Sequence, residues 1–133
     1  MAIHHHEGDL PGHVKFEGSV AIDTETLGLN PHRDRLCLVQ LSGGDGNAHL
    51  VQMPRGPYHA PRLAALLADP KVLKLFHFGR FDIAVLELYL PLRQLGAQFH
   101  ASTDGTAAAA QLFDLADLDH IALAASELIP ALT

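Results

Sequence analysis

The sequence predicts an α/β domain with a mixed sheet and helices on its faces. Short apolar or alternating runs, separated by turn residues, fill residues 2–53. A helix–strand–helix alternation follows over residues 62–90. Strands first and alternation afterwards is the order expected of a sheet that holds both antiparallel and parallel neighbours. The third observation is chemical: one predicted strand ends in two carboxylates, Asp23 and Glu25, a single residue apart.

Residues 2–6 read as the first strand, closed by Gly8-Asp9-Leu10-Pro11. His4-His5-His6 also has the composition of an affinity-tag fragment. A native strand is the favoured reading, and neither reading makes a catalytic metal site. Residues 19–25 form the second strand and Leu36-Cys37-Leu38-Val39-Gln40-Leu41 the third. The Gly- and Asp-rich turn at residues 42–47 leads into a fourth strand over residues 48–53,. These runs suggest an antiparallel meander across the first fifty residues. Three prolines and a glycine make residues 54–61 a loop,. Residues 62–69 read as a helix that stops before Pro70, residues 72–77 as a strand, and residues 79–90 as a helix that stops before Pro91,. The rest is different in character. Residues 97–110 are rich in Ala, Gly, Ser and Thr, and residues 107–128 have helical composition with Leu112, Leu115, Leu118 and Leu123 in a stripe. The expected division is therefore a core over residues 1–93 and an atypical Ala-rich helical tail over residues 94–133, a shortened end of the same domain.

A chain of 133 residues that is 48% hydrophobic fits one domain with a real core,. It has no run of eighteen apolar residues and no basic, apolar leader at its start, so neither a membrane span nor a secretory signal is expected,. The lone Cys37 excludes an internal disulfide framework, suits a reducing cytoplasm, and reads as an inert buried thiol within its apolar strand,. A net charge of −6 argues against broad binding to long duplexes,. It leaves room for a short nucleic acid held in one pocket where bound cations supply the positive charge.

Val20-Ala21-Ile22-Asp23-Thr24-Glu25 is an apolar strand ending in the acid pair, and Leu27-Gly28-Leu29-Asn30-Pro31 leaves it through turn formers. Strand side chains alternate, so Asp23 and Glu25 share a face, where their repulsion is relieved by a divalent cation. An Asp-x-Glu pair taken alone is more often a solvated strand end. A second acid changes the weighing. In His77-Phe78-Gly79-Arg80-Phe81-Asp82, helical spacing puts Asp82 on the stripe of Phe78, Val85, Leu86 and Tyr89,. A carboxylate there is costly to bury without a partner. The bland alternative is a boundary Asp reaching solvent or Arg80. A metal shared with Asp23 and Glu25 answers the same need.

These two stretches resemble the first and second motifs of the DEDD 3′-5′ exonucleases, nearest to the ribonuclease D-like group that includes the nanoRNase C oligoribonucleases. Residues 34–41 and Gly8-Asp9-Leu10-Pro11 are similar to the same group, so the likeness covers about residues 1–90. The resemblance implies a ribonuclease H-like fold and two-metal hydrolysis with Mg²⁺ or Mn²⁺, acting from the 3′ end of short RNA or single-stranded nucleic acid. It would make Asp23 a ligand of both metals, Glu25 a second ligand that positions water, and Asp82 the holder of the second metal, partly through water. Thr26, Leu27 and Gly28 would receive the terminal base and sugar. His77 would contact a phosphate or brace the site, Phe81 would pack behind Asp82, and Arg80 would lie near phosphate or in solvent. In such sites one metal activates water and the other stabilises the leaving oxygen, about 3.5–4 Å apart. The likeness also leaves room for a homo-oligomer.

The family's third motif reads Tyr-x-x-x-Asp. The best match here is Phe113-Asp114-Leu115-Ala116-Asp117, with Asp117 as the fourth acid and Phe113 in the tyrosine's place. Phenylalanine has no hydroxyl to orient water. Asp117 also follows Asp82 by only 35 residues, fewer than the family usually has. The departures motivate a second reading, an impaired nucleic-acid-binding or interaction module on the same fold. A third, a histidine-rich metal protein, has little support because the histidines lack a regular ligand spacing.

Overall fold

A computed structural model describes residues 2–76 and 80–96 of the chain. The elements in order are β1 (Ala2–Glu7), β2 (Ser19–Thr26), β3 (Leu36–Ser42), β4 (Asn47–Gln52), α1 (Pro61–Ala68), β5 (Leu73–Phe76) and α2 (Arg80–Tyr89). One sheet holds the strands in the order β1-β4-β3-β2-β5. β2, β3 and β4 form an antiparallel run, while β5 lies parallel to β2. The expected mixed sheet with helices is therefore present. The helical tail expected over residues 94–133 falls outside the described residues from position 97 onward.

One expectation is corrected. The first fifty residues are not a single meander, because β1 pairs in parallel with β4 at the far edge, from Ala2 opposite Asn47 to Glu7 opposite Gln52. The reason lies in Gly8-Asp9-Leu10-Pro11. Leu10 is buried in the core, and the Asp9 carboxylate accepts the backbone N–H groups of Arg62 (3.0 Å) and Leu63 (2.8 Å). The chain leaving β1 is thus committed to the start of α1 and cannot turn back as a hairpin. The contact also completes α1. Its own N-cap residue, Ala60, has no side-chain acceptor, and Asp9 brings one, with a negative charge, to the helix start,. Pro61 suits the first turn, and the helix ends before Pro70 because the residue preceding a proline avoids helical geometry,.

The helices pack on one sheet face. Val20, Ile22, Val39, Leu41 and Val51 from that face meet Leu63, Ala64 and Leu67 of α1 and Val85 and Leu86 of α2. The opposite face carries Ala21, Leu38, Gln40 and Leu50, all buried as well. β3 is buried along its whole length, which explains why it reads as an almost unbroken apolar run,. Cys37 is a buried free thiol whose pKa is raised, chiefly by burial, as its apolar setting suggests. β1 accounts for the histidine triplet. His4 and His6 stack on His49 of β4 with ring centroids 5.0 and 5.2 Å apart, and His6 Nε2 lies 2.9 Å from His49 Nδ1.

Candidate active site

The acid pair sits where β2 gives way to a loop. The ladder to β3 shifts register between Glu25 and Thr26, an irregularity that re-aims the strand end,. Asp23 lies opposite Gln40 and is exposed, while Glu25 is half-buried and accepts a hydrogen bond from Gln40 Nε2 at 3.3 Å. Thr24 points the other way, toward the helices, opposite Val39 of the core. The Thr24 hydroxyl donates to Asp82 Oδ1, and the Thr24 backbone N–H donates to Asp23 Oδ1 at 2.9 Å.

Asp82 is only 6% exposed and lies in the first turn of α2, between Phe81, which packs on the core, and Val85 and Leu86. The helical stripe read from the sequence holds for Asp82, Val85, Leu86 and Tyr89, Phe78 lying outside the described residues, and the partner of the buried acid is Thr24 rather than solvent. The start of a helix favours a negative charge. Burial outweighs this, and with repulsion from Asp23 it pushes the Asp82 carboxyl up to about 6 against the Thr24 hydrogen bond,. Glu25 is raised for related reasons: burial first, then the charges of Asp23 and Asp82, opposed by Gln40.

Asp23, Glu25 and Asp82 therefore share one electrostatic neighbourhood at the end of β2, approached from two faces of the sheet. Among the described residues, however, no three His, Cys, Asp or Glu side chains are grouped closely enough to hold one ion. The donor chemistry still suits a hard divalent cation. It consists only of carboxylate oxygens, and the raised Glu25 and Asp82 show a place where added positive charge would be favourable,. His77 and Asp117 lie outside the described residues.

The loop after the acids is held from three sides. The Thr26 hydroxyl donates to the Gly28 carbonyl at 2.5 Å. Asp34 accepts hydrogen bonds from the Asn30 N–H at 3.0 Å and from Arg33 Nε and Nη2 at 2.9 Å each, which lowers its pKa, with the Arg33 hydrogen bonds as the main cause. The Tyr89 hydroxyl of α2 donates to the Pro31 carbonyl at 2.7 Å, and the Tyr89 ring meets Tyr58 edge-on at 5.2 Å. In this frame Leu27 is 45% exposed and Leu29 86% exposed, so two large apolar side chains of the loop stand in solvent. Arg80 is exposed and lines an open cleft with His32 and Arg93 on the outer side of α2.

Gly28 has a specific reason to be glycine. A Cβ there would meet Asp34 Oδ2 at 2.3 Å, and Asp34 is pinned by Arg33 and Asn30. Gly28→Ala is expected to lower stability by roughly 1–2 kcal/mol through this clash. Urea unfolding of the full chain checks it, and Asp34→Ala in the same background should recover part of the loss. An unchanged midpoint in the single variant would show that the loop can yield.

Sequence reading missed Thr24, Gln40, Asp34 and Tyr89 as parts of this region. Gln40 had a signal, being the only polar side chain in an apolar strand run. Thr24 had one too, as the residue between two acids with opposite parity. Asp34 and Tyr89 act through backbone carbonyls and amides that a one-dimensional pattern does not display.

Comparison with known proteins settles the family. The sequence matches the 3′-5′ exonuclease family over residues 9–126. The chain belongs to that family. Within it, this chain is 41% identical over 85 residues to a ribonuclease D of Gluconacetobacter diazotrophicus, across 62% of the chain and 21% of that relative. Among solved structures, it is similar to NrnC of Brucella melitensis with bound Mg²⁺, at 55% identity and a TM-score of 0.65, over 68% of the chain and 45% of NrnC. The same protein bound to pGG gives 54% identity and a TM-score of 0.66. These likenesses place it on the ribonuclease D-like, NrnC-like side of that DEDD family, with the ribonuclease H-like fold. The chain spans about a fifth of that ribonuclease D and less than half of NrnC.

Proposed function

We propose that the chain carries the acidic half of a divalent-metal-dependent 3′-5′ exonuclease site that hydrolyses phosphodiesters of short RNA or other single-stranded ends. The observation that carries this reading is the shared electrostatic neighbourhood of Asp23 and Glu25 on β2 and Asp82 on α2, with Glu25 and Asp82 raised by burial and by the neighbouring acids. Asp23, Glu25 and Asp82 would hold Mg²⁺ or Mn²⁺, and Asp117 is the fourth acid by its motif. Bound there, such cations supply a water nucleophile at neutral pH and stabilise the departing 3′ oxygen. The chain's own residues do the rest. Gln40 keeps the Glu25 carboxylate oriented by donating to Oε1. The loop at Thr26, Leu27 and Gly28 offers a braced backbone and an exposed leucine against which a terminal base and sugar can lie. His77 is proposed as a phosphate contact. NrnC bound to pGG supports a short substrate, and a net charge of −6 fits a pocket for a short end better than a track for a duplex,. A cytoplasmic setting and self-association belong to the same proposal.

The test is trimming of 5′-labelled RNA and DNA oligonucleotides of two to twelve residues by the full chain, with Mg²⁺, with Mn²⁺ and with chelator. Shortening from the 3′ end that requires the cation, and that is faster on the shortest RNA, is the expected result. Oligonucleotide binding without any product, in either metal, would overturn the enzyme reading in favour of a binding module.

A further inference from the structure

The residue between the two acids of β2 is Thr24. In a central strand a β-branched side chain is ordinary, and Val would fill the same space. Thr24 differs from Val by one hydroxyl, and that hydroxyl is spent on Asp82 Oδ1. Its backbone N–H is spent on Asp23 Oδ1 at 2.9 Å. One residue therefore engages two acids that lie 59 positions apart in sequence and belong to different elements. A carboxylate can only accept hydrogen bonds when ionised, and a buried one without a donor is costly. Asp82 is nearly inaccessible, and the Thr24 hydroxyl is the side-chain donor it meets there, beside backbone contacts from Thr24 and from Asp82 itself.

We infer that Thr24 is a positioning residue of the acidic site, fixing Asp82 through its hydroxyl and Asp23 through its amide so that both carboxylates are set by one point on β2. This rests on the metal-site reading proposed above. The amide contact is available to any residue at position 24 except proline. The hydroxyl contact is what selects Thr or Ser.

Mn²⁺ binding to the full chain, followed by calorimetry in wild type, Thr24→Val and Thr24→Ser, tests this directly. Removing a group that orients a ligand lowers metal affinity by about tenfold or more. Thr24→Val should show that loss, and Thr24→Ser should stay within about twofold of wild type. Equal binding by wild type and Thr24→Val would overturn the inference alone. So would a Ser variant as weak as the Val variant, because the methyl group and not the hydroxyl would then be responsible. A wild-type chain that binds no Mn²⁺ would overturn the metal reading and this inference with it. A metal-free measurement separates the two: in urea, Thr24→Val should shift the unfolding midpoint of the wild-type background and leave that of Asp82→Ala unmoved. Equal shifts in both backgrounds would mean that the two side chains do not act together.

Discussion

Asp23→Ala is expected to abolish metal-dependent trimming, with a loss on the order of a thousandfold or more, while the fold persists. Residues that act as one unit lose most of their joint effect when a single member is removed. Asp23 is the acid whose charge is felt by both Glu25 and Asp82. It is also exposed, so its removal leaves no cavity, and its replacement relieves repulsion on both neighbours. The signature is therefore twofold. Activity should vanish, and the metal-free variant should unfold no earlier than wild type. Initial rates on a labelled trinucleotide, together with a thermal melt of the same sample, provide the check. Residual activity within tenfold of wild type would remove Asp23 from the reaction and the acidic cluster from the proposed function.

Asp82→Asn should make the metal-free chain more stable at neutral pH and inactive. The folded-state pKa of Asp82 is about 6, above the 3.8 of the unperturbed side chain. A carboxyl raised in this way favours the folded state when protonated. Its contribution is fully present below about pH 4, falls as pH rises through the window to about 6, and is absent above it,. The difference amounts to about 2 kcal/mol once solvent and salt screening are allowed for. Glu25, raised in the same direction, adds to the trend. Asparagine keeps an acceptor for the Thr24 hydroxyl and carries no charge. In urea at pH 7.5 the Asn variant should therefore have the higher midpoint, and at pH 4 the two proteins should converge. Mg²⁺ should raise the wild-type midpoint as a ligand of the folded state does, and it should do so less for the variant. A variant that is less stable than wild type at pH 7.5 would show that Asp82 is held as a well-compensated ion.

Much of the architecture was legible because it rests on local chemistry. The turn residues around β3 and β4, the prolines that end both helices, and the stripe holding Asp82, Val85 and Leu86 all act within a few positions of themselves. β1 was misplaced because its partner is chosen by a contact between Asp9 and the backbone of Arg62 and Leu63, more than fifty residues away. Strand pattern predicts that β1 pairs but not with what. The site divides in the same way. Asp23, Glu25 and Asp82 announce themselves by acidity in apolar surroundings. Thr24 does not, because its hydroxyl matters only once α2 is laid beside β2. Asp34 reveals its use only when the chain folds back onto Gly28.

α2 carries Asp82 in its first turn and Tyr89 in its last, and Tyr89 grips the Pro31 carbonyl. One ten-residue helix thus yokes a carboxylate at one end to the loop after the acid pair at the other. Any tilt of that helix moves both together, so a substitution among its outer residues shifts the loop against the acid pair without altering one acid.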